Sequence, residues 1–184
     1  TVWDPKTRFF PVGHTCYKSV EGGGTSLLQS STSFHHAACR YSSMVALILA
    51  FFLPFLQGPS IADIDKARDA LRPFLNALAT VESNGKDDAI GDNGNALGRY
   101  QLWQVYWQDA VDYCPEIEGR YKDVTNKVYA ERCVVAYLMR YCPKAVAASD
   151  YEVMARTHNG GPKGHKRKAT IGYWKKVERA LESR

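Results

Sequence analysis

Ala89-Ile90-Gly91-Asp92-Asn93-Gly94-Asn95-Ala96-Leu97 sets an Asn-Gly pair between two short apolar stretches. This is a strong short-range signal for a β-hairpin, because Asn and Gly tolerate the positive φ that a tight turn demands. The flanking sequence on both sides reads as helix. Upstream, Ile61, Ile64, Leu71, Leu75, Leu78 and Val81 recur at helical spacing behind a Ser60/Asp63 capping box. Pro73 kinks or restarts that helix and Asn84-Gly85 stops it. Downstream, the pattern predicts one helix from Trp103 to Val111 and another from Thr125 to Tyr141, with Val128, Val135, Leu138 and Met139 on one side. A short helix N-capped by Asp150 ends at Asn159-Gly160-Gly161-Pro162, and a last one, Thr170 to Leu181, is amphipathic through Ile171, Trp174, Val177 and Leu181. Helices around one small hairpin make an α+β fold, predominantly helical.

That fold needs only part of the 184 residues. Residues 1–43 hold Gly22-Gly23-Gly24 and a Ser/Thr-rich run without sustained period, and read as a disordered or untranslated segment. Met44 opens an apolar run from Val45 to Leu56, short for a bilayer span and broken by Pro54 but the size of a signal-peptide core. Small residues suited to cleavage follow at Gly58, Ser60 and Ala62. The expectation is a signal peptide over 44–60, a secreted product with no membrane span after cleavage, and one domain over 61–184. Within that domain Cys114, Cys133 and Cys142 allow at most one bridge. Cys133 and Cys142 lie nine apart on one expected helix, about 13 Å at 1.5 Å per residue, which favours Cys114 paired with one of them.

With 45% hydrophobic and 23% charged residues the composition excludes collagen-like, coiled-coil and low-complexity chains. The formal charge of +5 is unevenly spread. Residues 156–184 carry nine Lys/Arg against Glu178 and Glu182, whereas residues 59–155 are net acidic. The cluster Lys163, Lys166, Arg167, Lys168 would attract an anionic surface such as a bacterial wall. A nucleic-acid partner is not expected, since no recognised binding module is present.

Two acids stand out by position. Glu82 lies four residues beyond Leu78 and seven beyond Leu75, on their buried stripe at the C-terminal end of the helix. Burial and the negative end of the helix dipole both favour its protonated form, which suits a general acid. Asp92 falls at the polar turn of the hairpin, where amides and solvent keep a carboxylate charged. One protonated and one ionised acid are what cleavage of a glycosidic bond requires. Acids that end helices and aspartates that open turns are nevertheless common for purely structural reasons.

The surrounding blocks decide between these readings. Val81-Glu82-Ser83, Asp92-Asn93-Gly94, Gly98, Tyr100-Gln101-Leu102, Tyr106-Trp107-Gln108-Asp109, His158-Asn159-Gly160-Gly161-Pro162-Lys163-Gly164 and Thr170-Ile171-Gly172-Tyr173-Trp174 together resemble the invertebrate-type (destabilase-like) lysozymes, in order, across residues 75 to 178. The resemblance implies a lysozyme-like domain with a cleft, secreted, acting on the β-1,4 bonds of bacterial peptidoglycan or on chitin-like oligomers without metal or organic cofactor. It implies Glu82 as general acid/base and Asp92 as nucleophile of a retaining reaction, with Asp87 and Asp88 as fallback carboxylates. Sugar contacts are implied for Tyr100, Gln101, Trp103, Tyr106, Trp107, Asp109, Tyr137, His158, Asn159 and Gly160; aromatic faces stack on sugar rings while amide and imidazole groups read hydroxyls. For Trp107 and Trp174 plain core packing weighs at least as much. The family is cysteine-rich where this domain has Ala96, Ala110 and His165, so packing and hydrogen bonds must hold the hairpin. The alternatives are a non-catalytic carbohydrate-binding or immune-recognition protein on the same fold, and a lytic transglycosylase.

Overall fold

A computed structural model describes residues 58–183 of the chain. The segment 1–43, Cys16, Cys39 and nearly all of the leader expected over 44–60 lie outside the described residues. The last three residues of that leader belong structurally to the domain. Ser60 N-caps helix α1 (Ile61–Ala70) through a complete capping box with Asp63, and the Pro59 carbonyl accepts the Cys114 thiol at 3.2 Å.

Pro73 restarts the first helical run rather than bending it: α1 ends at Ala70 and α2 (Arg72–Ser83) begins with the proline in its first turn, where no amide is missed. Asn84 closes α2 at φ 55°, in the left-handed conformation expected of an Asn-Gly stop. Strands β1 (Ile90–Gly91) and β2 (Ala96–Leu97) then pair antiparallel, Ile90 opposite Leu97 and Gly91 opposite Ala96.

The connection between them is wider than a two-residue turn. It spans Asp92–Asn95, with a short 3-10 turn over Asp92–Gly94 in which Asp92, Asn93 and Gly94 are all at positive φ (45°, 56° and 92°). Asp, Asn and Gly are the residues that adopt this backbone at least cost. The single hairpin expected from sequence is in fact a three-stranded sheet, because β3 (Leu102–Trp103) adds to the other edge of β2. Gly98 allows the return from β2. At φ 75° a Cβ there would collide with the Val124 carbonyl, so only glycine fits.

The remaining helices follow the sequence pattern: α3 (Gln104–Tyr113), α4 (Lys127–Tyr141), α6 (Tyr151–Gly160) and α7 (Ile171–Glu182). A further short helix, α5 (Pro143–Ala148), was not expected. Helix α4 is the centre of the domain, packing against α1, α3, α5 and α6, while α7 lies across α2 and α6. Phe74, Leu75 and Leu78 of α2 meet Val134, Val135 and Leu138 of α4, Met154 of α6 and Val177 of α7 in one core. The periodicity argument needs two corrections: Val128 and Ile171, read as core-facing, are 44% and 42% exposed, because each sits in the first turn of its helix, beyond the packed stretch. Among the described residues no helix is long and apolar enough to cross a membrane.

The expected disulfide is also absent. Cys114, Cys133 and Cys142 are all buried free thiols. Of the three, Cys114 donates to the Pro59 carbonyl. Burial pushes the Cys133 thiol up to about 12 and the Cys142 thiol up to about 11.

Candidate active site

The last turn of α2 delivers Glu82 to a point where α2, α3, α6 and α7 converge. Its side chain is 9% exposed, as the buried stripe predicted. Tyr173 of α7 donates its hydroxyl to Glu82 Oε1 at 2.6 Å. His158 of α6 places Nε2 3.5 Å from the same oxygen, and its Nδ1 is 2.9 Å from the Tyr106 hydroxyl of α3. The Tyr106 ring in turn lies nearly parallel to Tyr137 of α4, centroids 3.6 Å apart. Burial, then the neighbouring Glu82 charge, hold the Tyr173 phenol well above its ordinary range; burial does the same for Tyr106. Both remain protonated donors at any physiological pH.

Asp92 occupies the hairpin turn in a different setting. It is half-buried, and Trp103 of β3 donates its indole N–H to Asp92 Oδ2 at 3.2 Å. The Asn95 amide groups, backbone and side chain, close the turn onto the Asp92 carbonyl. Of the fallback carboxylates, Asp87 is committed elsewhere. Its side chain accepts a 2.7 Å hydrogen bond from Arg99 that holds the carboxyl below its ordinary range. Together with the Ser83 hydroxyl, which donates to the Arg99 carbonyl at 2.9 Å, this bond ties the base of the hairpin to the end of α2.

The other residues expected to touch sugar divide into groups. Tyr106, Tyr137 and His158 do gather around Glu82, but as a buried stack: Tyr137 is fully buried beneath Tyr106 and does not face a cleft. Tyr100 is a correction of the same kind. It is 1% exposed and donates to Glu131 at 3.3 Å in the core, because a tyrosine at that corner reaches a buried carboxylate. Gln101 braces the sheet, its amide donating to the Ala89 and Gly98 carbonyls. Trp107 is half-buried and donates to the Tyr129 hydroxyl at 2.8 Å, which supports the packing reading. Asp109 faces Arg140, whose guanidinium donates to the Asp109 carbonyl at 2.7 Å. Asn159 is half-buried beside His158, and Gly160 is buried where a Cβ would strike the Thr170 methyl.

Tyr173 is the site residue that sequence reasoning overlooked. The signal was available in the Tyr173-Trp174 block, but helical spacing alone gave no reason to pair that face with the end of α2. The exposed Lys163, Lys166, Arg167 and Lys168 follow α6 directly. Arg156 is no part of that free charge, since it is bound by Glu152, the Thr170 hydroxyl and the Arg167 carbonyl.

A nearly buried carboxyl that accepts a phenol hydroxyl is the kind of group that can do acid/base work, and a turn carboxylate that accepts an indole N–H the kind that can act as a nucleophile. Comparison with known proteins identifies the family. The Destabilase family model matches residues 72–180. Lysozyme from Meretrix lusoria is 36% identical over 108 residues, covering 57% of this chain and 85% of that protein. Invertebrate-type lysozyme 6 of Caenorhabditis elegans is 30% identical over 113 residues, covering 56% and 82%. Against Lysozyme 1 of Crassostrea virginica, 34% identical over 87 residues, the match covers 47% of this chain and less than half, 45%, of the relative. The crystal structure of inhibitor-bound Meretrix lusoria lysozyme superposes with a TM-score of 0.50 at 29% identity, covering 59% of this chain and 88% of that one. The chain belongs to the destabilase family, and its described domain is an invertebrate-type lysozyme domain.

Proposed function

We propose that the domain is a muramidase that hydrolyses the β-1,4 glycosidic bonds of bacterial peptidoglycan with retention, Glu82 acting as general acid/base and Asp92 as nucleophile. The observation that carries this reading is the environment of Glu82: a nearly buried carboxyl whose Oε1 is met by a phenol and an imidazole, with no arginine paired to it among the described residues. Such a group can hold and release a proton. In the first step Glu82 gives its proton to the leaving glycosidic oxygen as that C–O bond breaks, and an Asp92 oxygen bonds to the anomeric carbon. In the second, Glu82 takes a proton from water, the water oxygen attacks the anomeric carbon, and Asp92 leaves with its electron pair. The indole N–H on Asp92 Oδ2 leaves Oδ1 as the attacking atom.

Secretion, with the leader expected over 44–60, and attachment to the anionic wall through Lys163, Lys166, Arg167 and Lys168 belong to the same proposal. Chitin-like oligosaccharides share the β-1,4-linked N-acetyl sugars and are the second substrate class. The test is clearance of a suspension of bacterial walls by the purified protein, with Glu82→Gln as control and mass spectrometry of the products. Reducing-end muropeptides and an inactive Glu82→Gln are expected. Anhydromuramyl products would replace the reading with a lytic transglycosylase, and binding without cleavage by the unaltered protein would make it a recognition module.

A further inference from the structure

Glu82 offers two oxygens, and the surrounding groups treat them unequally. Oε1 receives the Tyr173 hydroxyl at 2.6 Å and faces His158 Nε2 at 3.5 Å; among the described residues Oε2 has neither a hydrogen bond nor an ion pair. We propose that Tyr173 is a positioning residue for glycoside cleavage, pinning Glu82 Oε1 so that the transferable proton resides on Oε2, and that Tyr106 and His158 form the second arm of the same clamp. This rests on the reading of Glu82 as the general acid.

The clamp follows from hydrogen-bond inventory. The Tyr106 hydroxyl and His158 Nδ1 lie 2.9 Å apart; in the clamp Tyr106 is the donor, which places the ring proton on Nε2, the nitrogen nearest Glu82. The Tyr173 hydroxyl then bonds Oε1, with the His158 ring nitrogen 3.5 Å from the same oxygen. A carboxyl whose Oε1 accepts such bonds carries its own hydrogen on the other oxygen, oriented by the rigid α2 backbone rather than free to exchange ends. When the proton leaves, the negative charge develops against donors already in place, which need no reorganisation. The titratable groups packed around Glu82 are Tyr106 from α3, His158 from α6 and Tyr173 from α7. Burial keeps the Tyr173 phenol protonated, so its donor role persists throughout the working range.

A hydrogen bond of this kind favours the ionised carboxyl over the neutral one, so its removal prolongs protonation to higher pH. For Tyr173→Phe we expect kcat on peptidoglycan to fall about tenfold with KM nearly unchanged, since one hydrogen bond and one pH unit correspond to similar free energies. The alkaline limb of the kcat/KM profile should move up by roughly one unit. A 3-fluorotyrosine at position 173, a stronger donor of nearly the same shape, should move that limb down and serves if the Phe variant fails to fold. A limb that stays in place in either folded variant overturns the clamp. Should Glu82→Gln retain activity, the general-acid reading itself fails; an inactive Glu82→Gln with unmoved limbs rejects only the role of Tyr173.

Discussion

Two glutamates of this domain are almost equally hidden from water and are treated in opposite ways. Glu131, on α4, is 1% exposed; Arg72 reaches it at 2.7 Å, Arg68 at 3.8 Å and the Tyr100 hydroxyl at 3.3 Å. Glu82, at the end of α2, accepts the Tyr173 phenol, with an imidazole nitrogen of His158 3.5 Å away. Guanidinium groups are permanently charged, and Glu131 is faced by two of them. Among the described residues no guanidinium reaches Glu82, and its hydrogen bond comes from a phenol. The Glu131 region therefore reads as construction: Arg68 and Arg132 extend it through Asp65, joining α1, α2 and α4. Burial of an acid is common to both regions, and the identity of its partners separates scaffold from chemistry.

The comparison breaks most sharply by amide substitution at each acid. Glu131→Gln leaves two arginines facing a neutral side chain and should cost about 3 kcal/mol of stability, read as a fall in Tm of roughly 10 °C. Glu82→Gln should melt at the same temperature or slightly higher while losing turnover. If instead both variants melt alike, the division between the regions is wrong. Next in size is Asp92→Asn, expected to lower turnover about a hundredfold, roughly 2.7 kcal/mol of transition-state stabilisation, while pull-down on intact walls shows binding unchanged.

Alkaline pH sharpens the same contrast without mutation. Tyr100, Tyr106 and Tyr173 are all raised above the ordinary phenol value of 10.0, mainly by burial and also by the neighbouring glutamates. A phenol kept neutral in the fold contributes stability that is complete below pH 10 and is lost as pH rises through its folded value, because the unfolded chain ionises first. Calorimetric scans between pH 9 and 12 should show Tm falling, and Tyr173→Phe should flatten that fall. The smallest effect is expected for Asp87→Asn. Its bond to Arg99 is half-exposed, so its loss should cost less than about 1 kcal/mol, with the associated loss of stability at acid pH confined to values below the ordinary aspartate range.

Local signals in the sequence carried much of the architecture. The Ser60/Asp63 box, Pro73, Asn84-Gly85 and Asn93-Gly94 each act within four residues of chain, and each performs the task its chemistry dictates. Strand β3 escaped notice because two residues, Leu102 and Trp103, present no alternation to detect. Helix α5 is six residues behind a proline, too short for a period. At the site, the burial of Glu82 was legible from its spacing to Leu75 and Leu78. Its partner Tyr173 lies 91 residues away, and Glu131 meets Arg72 across 59. Those encounters depend on how α2, α4 and α7 pack, which periodicity within one helix does not encode. The same gap explains why Tyr100 and Tyr137, assigned to the sugar, belong to the core.

The three free thiols carry a practical consequence. Each lies inside the packed domain, and burial raises all three above their ordinary range, so little reactive thiolate is available to oxidants or exchange partners. Assembly of this domain is then indifferent to the redox state of its surroundings. It should fold in a bacterial cytoplasm without oxidases or isomerases, and dithiothreitol should leave its unfolding curve where it was.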